Sequence, residues 1–397
     1  MKKDFIKPAA RLSLVNEYYF SSKLAEISRM RSQGIDVINL GIGSPDLPPA
    51  DNVIEVMKRD ASSSHSHGYQ SYNGIPELRQ AFARWYGEHF GVALDPGGEI
   101  LPLMGSKEGI MHISMAFIDP GDEVLVPDPG YPAYTAATSL AGGAPRRYSL
   151  TEDNGWYPDI DAIEAEGIDR VKIMWINYPH MPTGTKATEE LFSRLVAFAS
   201  RHSILLCNDN PYSFILNESR LSLLSVAGAA EVALELNSLS KSHNMAGWRI
   251  GMVAGNKGFI SNIIKVKSNM DSGMFRPLQA AAAEALAATA EWYDELNSVY
   301  RRRRLIAADL MKALSCSFDE NQSGLFLWGK IPGHHANAIE MTDELLYKHH
   351  LFITPGTVFG INGSNYIRIS LCATEETLDK ALSRIISRRT NESNLNN

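Results

Sequence analysis

The chain has 397 residues, 44% of them hydrophobic and 21% charged, which is enough for two domains and ordinary for a globular enzyme. Its 38 basic residues stand against 45 acidic ones, and the net charge of −7 argues against sequence-independent binding to nucleic acid or to an anionic membrane. Cys207, Cys316 and Cys372 are far apart and point to neither a disulfide framework nor a zinc site, and no run reaches the roughly 18 apolar residues of a membrane span.

The N-terminal Met1 to Pro8 has no apolar stretch fit for a signal peptide, so a cytoplasmic protein is expected. Residues 20–33 read as a helix leading into Asp36-Val-Ile-Asn-Leu and the loop Gly41-Ile-Gly43-Ser-Pro-Asp46. From about residue 100 to 255 short apolar runs alternate with helical patterns, the pattern of βαβ units and a parallel sheet. The predicted strands are Glu123 to Pro127, Val171 to Ile176, Ser203 to Cys207, Val232 to Leu236 and Ile250 to Ala254. Tyr131, Asp209 and Lys241 fall just after three of them, and in open α/β sheets ligands bind at the carboxyl ends of strands. The alanine-rich run from about 281 through Tyr300 to Leu314 reads as one long helix, with shorter α+β segments behind it. Its Arg301 to Arg304 is expected to be a solvated helix face, and the polar tail from Arg388 to be frayed.

Several of these segments carry chemistry. In Asn237-Ser238-Leu-Ser-Lys241-Ser-His-Asn-Met-Ala-Gly-Trp-Arg249, a lysine that can form a Schiff base lies between a hydroxyl and a guanidinium that can hold a phosphate. Gly105-Ser106-Lys107-Glu108 precedes a helical pattern, where free backbone amides and the helix dipole favour a phosphate. Asp209-Asn-Pro-Tyr212 closes an apolar run, Asp128-Pro-Gly-Tyr131 follows another, and Asn365-Tyr-Ile-Arg368-Ile-Ser-Leu alternates as a strand should, with Arg368 placed to grip a carboxylate.

Together these segments resemble the class I/II aminotransferases, the fold-type I enzymes of pyridoxal 5′-phosphate (PLP), most closely the LL-diaminopimelate and alanine-type branch. The resemblance implies an α/β fold whose large domain has a mostly parallel seven-stranded sheet between helices, with a smaller α+β domain beside it. In this sequence that gives residues 1–45 as an N-terminal arm and part of the small domain, 46–284 as the PLP-binding domain and 285–397 as the rest of the small domain. Lys241 then holds the cofactor and acts as general base. Ser106, Lys107, Ser238 and Arg249 take the phosphate, Asp209 the ring nitrogen and Tyr212 the phenolic oxygen, while Tyr131 stacks on the ring. Arg368 and Gly43 hold the substrate carboxylate. Tyr69-Gln-Ser-Tyr-Asn-Gly74 matches the segment that lends a tyrosine to a neighbouring subunit's phosphate, which implies a homodimer with shared sites.

The implied reaction moves an amino group between an L-amino acid and a 2-oxo acid through PLP and pyridoxamine phosphate, and no metal is required. One departure stands out, because the family commonly reads Asn-Pro-Thr-Gly where this chain has Met181-Pro-Thr-Gly184. A thioether cannot donate a hydrogen bond, so either Tyr212 serves the phenolic oxygen alone, or Asn177 or His180 compensates. The same change keeps open a cystathionine β-lyase-like C–S lyase, which would release pyruvate and ammonia. Arg276, in a segment resembling one that reaches across the dimer interface, is either a substrate or phosphate reader or an interface ion.

Overall fold

Twelve strands occur among the described residues. They are β1 (Ile38–Asn39), β2 (Ile100–Leu103), β3 (Glu123–Asp128), β4 (Ala144–Ser149), β5 (Val171–Ile176), β6 (Leu205–Asp209), β7 (Ala233–Ser238), β8 (Gly251–Gly255), β9 (Phe326–Lys330), β10 (Leu351–Phe352), β11 (Thr354–Pro355) and β12 (Tyr366–Ser370). The computed structural model describes residues 6–395, with side chains as far as residue 387.

Seven strands form one sheet in the order β2-β8-β7-β6-β5-β3-β4. Its pairings are parallel from β7 through β6, β5 and β3 to β4, and antiparallel where β8 meets β7 and β2. Buried on both faces, the central strands read as unbroken apolar runs and sort their side chains by alternation. Val124, Val126, Ile173, Trp175, Leu205 and Cys207 pack to one side with Ile110, Ile113, Tyr134 and Ala137. Leu125, Met174, Ile176 and Leu206 pack to the other with Leu191, Phe192, Leu195 and Phe198. The helix Glu189–His202 that supplies the latter has Thr188 capping the Leu191 amide at 3.0 Å, acids in its first turn and Arg201 and His202 in its last, each suited to the helix dipole.

A second body of core joins the two ends of the sequence. β1 runs parallel to β10, while β11, β12 and β9 form a small antiparallel sheet. Phe20, Ile27 and Leu40 share one cluster with Tyr300, Leu310, Phe326, Trp328, Phe352 and Ile369.

The predicted strands are present with ends shifted by up to two residues, and the helix expected over 20–33 spans Tyr19–Ser32. Two expectations need correction. The long helix from 281 is two, Arg276–Ala285 and Ala290–Ala313. The break separates Ala281, Ala282 and Ala285, which pack on the cluster around Trp85, from Leu296, Tyr300 and Leu310, which pack among the chain-end residues. The Arg301 to Arg304 run is not simply a solvated face. Arg303 is 3% exposed, donates to both Asp46 carboxylate oxygens at 2.6 and 2.8 Å and to the Leu371 carbonyl, and so pins the Gly41–Asp46 loop. The last helix spans Glu375–Leu395 and takes in the start of the polar tail. No helix among the described residues is long and apolar enough to cross a membrane.

Candidate active site

Where β3, β6 and β7 end, the loops that follow open onto a cavity of about 480 Å³. It is lined by Gly43, Ser106, Lys107, Tyr131, Asp209, Tyr212, Ser238, Lys241, Arg249 and Arg368, so ten of the eleven residues expected to hold cofactor or substrate meet in one place.

Lys241 sits in the single turn Leu239–Ser242 that follows β7, and its Nζ donates to the Gly43 carbonyl at 2.6 Å. Burial, aided by the positive charges of Arg368 and Arg249 and opposed by Cys372 and Asp209, lowers its pKa, which frees the amine for nucleophilic and base chemistry. At the end of β6 lies Asp209, 5% exposed. Its Oδ2 accepts from the Tyr134 hydroxyl at 3.1 Å, whereas Oδ1 is buried with no hydrogen-bond partner among the described residues. Burial pushes the carboxyl up to about 6, against the pull of the Tyr134 and Ser106 hydroxyls and the Lys241 charge. On the adjacent strand Glu235 is fully buried and accepts from Tyr86, Asn208, Ser222 and the Leu223 amide, and its charge also disfavours an ionised Asp209. A buried carboxylate with an open oxygen is a seat for a cation.

The side expected to take a phosphate lies at the start of helix Ser106–Phe117. Gly105 has φ 84° and a Cβ there would strike the Arg249 guanidinium, so only glycine lets the turn and the arginine pack together. The buried Ser106 hydroxyl makes no hydrogen bond of good geometry but lies close enough to Asp209 to lower its pKa, and Arg249 donates only to the carbonyls of Ala246 and Met104. An unpaired guanidinium and a helix N-terminus suit a dianion. Ser238 lines the same wall, with its hydroxyl already engaged to Ser240 Oγ at 2.8 Å and the Ile250 carbonyl at 3.1 Å. The Lys107 ammonium turns away to lie 4.8 Å over the Tyr18 ring, leaving the backbone of the turn facing the cradle.

Opposite, Arg368 projects from β12 into a setting of aromatic rings, 3.8 Å over Phe326 and 4.6 Å from Phe359. It donates to the Gly41 carbonyl at 2.8 Å, and burial lowers its pKa to about 10. Gly43 is fixed by contact as well, since a Cβ would overlap the Phe326 ring. Near Met181, Asn177 is engaged at both ends of its amide, to the Asp209 carbonyl and from the Met181 amide. His180 Nδ1 pairs with Thr183 Oγ1 at 2.8 Å and burial lowers its pKa to about 3. Tyr212 lines the cavity, and burial raises the pKa of its hydroxyl.

Tyr69 is not part of this cavity, being 93% exposed on its loop. Arg276 faces Asp60 and Glu77 of its own chain at 3.7 and 3.8 Å. Away from the cavity, Glu108, His112 and Asp271 bring ligand atoms within 4.8 Å of one another, but the Lys267 ammonium already pairs with Asp271. Sequence reasoning missed Tyr134, three residues after Tyr131 and thus on the same side of helix Pro132–Ala141, which stacks on Trp175 and holds Asp209. It also missed Tyr18, Phe20, Ser21 and Leu24, which the N-terminal helix brings to the cavity mouth and no local motif announces.

A lysine made less basic by burial, a buried acid, a guanidinium with no carboxylate partner among the described residues beside a helix N-terminus, and a second, buried arginine share one cavity at the strand ends, an arrangement suited to a PLP-type transferase. The comparisons agree, since the aminotransferase class I and II family matches residues 35–385. The chain therefore belongs to the class I and II aminotransferases, a family that implies PLP. It is 43% identical over 379 residues to an LL-diaminopimelate aminotransferase of Desulforudis audaxviator, covering 95% of this chain and 96% of that one. It is 40% identical over 377 residues to the protein of the same name in Aquifex aeolicus, covering 94% and 97%. Among solved structures it resembles apo-BacF of Bacillus subtilis at a TM-score of 0.92 and 32% identity, covering 96% of this chain and 97% of that one. It also resembles a single mutant of Thermus thermophilus aspartate aminotransferase at a TM-score of 0.89 and 27% identity, covering 96% and 98%. The chain is an aminotransferase with the fold-type I architecture, and nothing in these likenesses favours the C–S lyase.

Proposed function

We propose that this aminotransferase carries PLP on Lys241 and moves an amino group between an L-amino acid and a 2-oxo acid, with LL-diaminopimelate the first donor to test because curated relatives bear its name. The observation that carries the reading is the Lys241 amine, its pKa lowered by burial, sharing one cavity with the open oxygen of Asp209 and with Arg368. When bound, the cofactor supplies an electron sink for the substrate's α-carbon. The protein does the rest. Ser106, Lys107, Ser238 and Arg249 hold the phosphate, Asp209 keeps a positive charge at the ring nitrogen, Tyr212 donates to the phenolic oxygen and Tyr131 covers one ring face. Arg368 and Gly43 orient the α-carboxylate, and Lys241 Nζ takes the α-proton and hands it on.

The chain divides into residues 46–284 around the large sheet and a smaller unit made of 1–45 and 285–397. Two copies form a homodimer in which Tyr69 reaches the partner's phosphate. In support, Tyr69, Met104, Met115, Met270 and Phe275 are all exposed in the single chain, an apolar set of the kind interfaces cover.

The test is borohydride reduction of the purified protein followed by peptide mass spectrometry, with single amino acids then offered without an oxo acid. Cofactor mass on the Lys241 peptide and a stoichiometric 2-oxo acid from a donor are expected. Cofactor on another lysine, or steady pyruvate with ammonia, would overturn the reading. Lys241→Ala should keep the fold and lose turnover.

A further inference from the structure

Asp128 closes β3 and is 3% exposed, but it does not line the cavity. Its carboxylate faces the loop before β12, more than half the chain away in sequence. Oδ2 accepts from the Ile361 amide at 3.1 Å and Oδ1 from the Asn362 amide at 3.0 Å, while the Asn362 side chain donates back to the Asp128 carbonyl at 3.0 Å. Beside them the Gly130 amide donates to the Phe359 carbonyl at 2.7 Å. The approach is so close that a Cβ on Gly360 would lie 2.0 Å from Asp128 Oδ1.

Ile361–Gly363 is a single helical turn, and Gly360 before it has no side chain with which to cap it. The first amides of such a turn need an acceptor, and here a carboxylate from the large sheet supplies it. Arg147 Nη1, 3.6 Å from Oδ2, is more than half exposed and adds little. The two loops joined in this way carry opposite parts of the cavity wall. Tyr131 follows Asp128 by three residues, and Phe359, directly before Gly360, lies 4.6 Å from the Arg368 guanidinium.

We infer that Asp128 is a positioning residue for the substrate side of the reaction. From the end of β3 it seats the loop 359–362, which packs Phe359 against Arg368 and so fixes that arginine relative to the cofactor wall. This rests on the reading of Arg368 as the carboxylate grip. Carboxylate binds where the loop is seated, so its apparent Kd rises as the seated state becomes the minor one.

The test is calorimetric titration of the holoenzyme with glutarate and with 3-phenylpropionate, neither of which carries an amino group. Hydrogen exchange of the peptide 359–363, read by mass spectrometry, accompanies it. Asp128→Ala should raise both Kd values roughly five- to thirtyfold, the equilibrium factor for a lost cap, speed exchange in that peptide and leave cofactor affinity unchanged. Asp128→Asn keeps one acceptor and should fall between parent and alanine variant; it serves alone should the latter not accumulate. Thr188→Ala removes a cap from a helix away from the cavity, and should lower the denaturation midpoint without moving either Kd. In turnover the Asp128 variants should raise KM more than they lower kcat. Asp128 variants with the parent's carboxylate Kd, or with cofactor affinity reduced as much as carboxylate affinity, would overturn the inference, as would a Thr188→Ala protein weakened to the same extent. Arg368→Ala separates the two levels. If it still binds carboxylate as the parent does, the assignment of Arg368 itself falls. If it loses binding while the Asp128 variants do not, only the role of Asp128 falls.

Discussion

Asp209 makes the cofactor-free protein pay for an acid it cannot ionise cheaply, and the cost can be worked out. Its carboxyl is raised from 3.8 to about 6 by burial, about two units, which corresponds to about 3 kcal/mol between the two protonation states. Because the folded value lies above the unfolded one, the associated stability is complete below the unfolded pKa and is lost as pH rises through the folded pKa. Between about pH 4.5 and about pH 7.5 the linkage gives a loss of about 2 kcal/mol. Asp209→Asn keeps the Tyr134 hydrogen bond and removes the titration. Urea unfolding of cofactor-free parent and variant should therefore show the parent losing that amount relative to the variant over this range. Loading the cofactor, with a positive charge against Oδ1, should shrink or reverse the parent's slope. Equal pH slopes in the two cofactor-free proteins would refute the reasoning, and with it the claim that Asp209 waits for a cation.

Two further substitutions test how the substrate side is held. Gly43→Ala puts a methyl group into the Phe326 ring; overpacking of this kind costs about 1–3 kcal/mol, readable as a lower thermal midpoint, and unchanged stability would mean the loop can shift freely. Asp46→Asn strips buried Arg303 of its paired carboxylate and should cost roughly 3 kcal/mol, the low end for breaking a buried pair because Asp46 is partly exposed. A denaturation midpoint like the parent's would show that the Leu371 carbonyl alone satisfies the arginine.

The cofactor side was legible in the sequence because each of its residues sits beside a local signal, such as a glycine turn before a helix or an acid closing an apolar run. Asp209, Lys241 and Arg249 could be placed from their neighbours in the chain. What could not be read are pairings between distant segments. Arg303 stands among three other arginines, and nothing in that run marks the one whose side chain turns inward to Asp46. Phe20 and Phe359 look like ordinary core residues until the fold sets them beside one guanidinium. Strands β2 and β4 were overlooked for a different reason. Ile100–Leu103 is only four residues long and contains a proline, while Ala144–Ser149 is an edge strand with two arginines, so neither shows the apolar run by which its neighbours were recognised.

The contact between Arg368 and the Gly41 carbonyl joins groups 327 residues apart, and closing a loop of that size costs about 5 kcal/mol in chain entropy. Apart from Tyr69, every residue assigned to the cofactor lies between 106 and 249. On the ribosome the two halves of the site are therefore completed in sequence. A growing chain can assemble its cofactor cradle well before residue 368 is made, and it acquires a grip for substrate only when a late strand returns to a loop synthesised near the start.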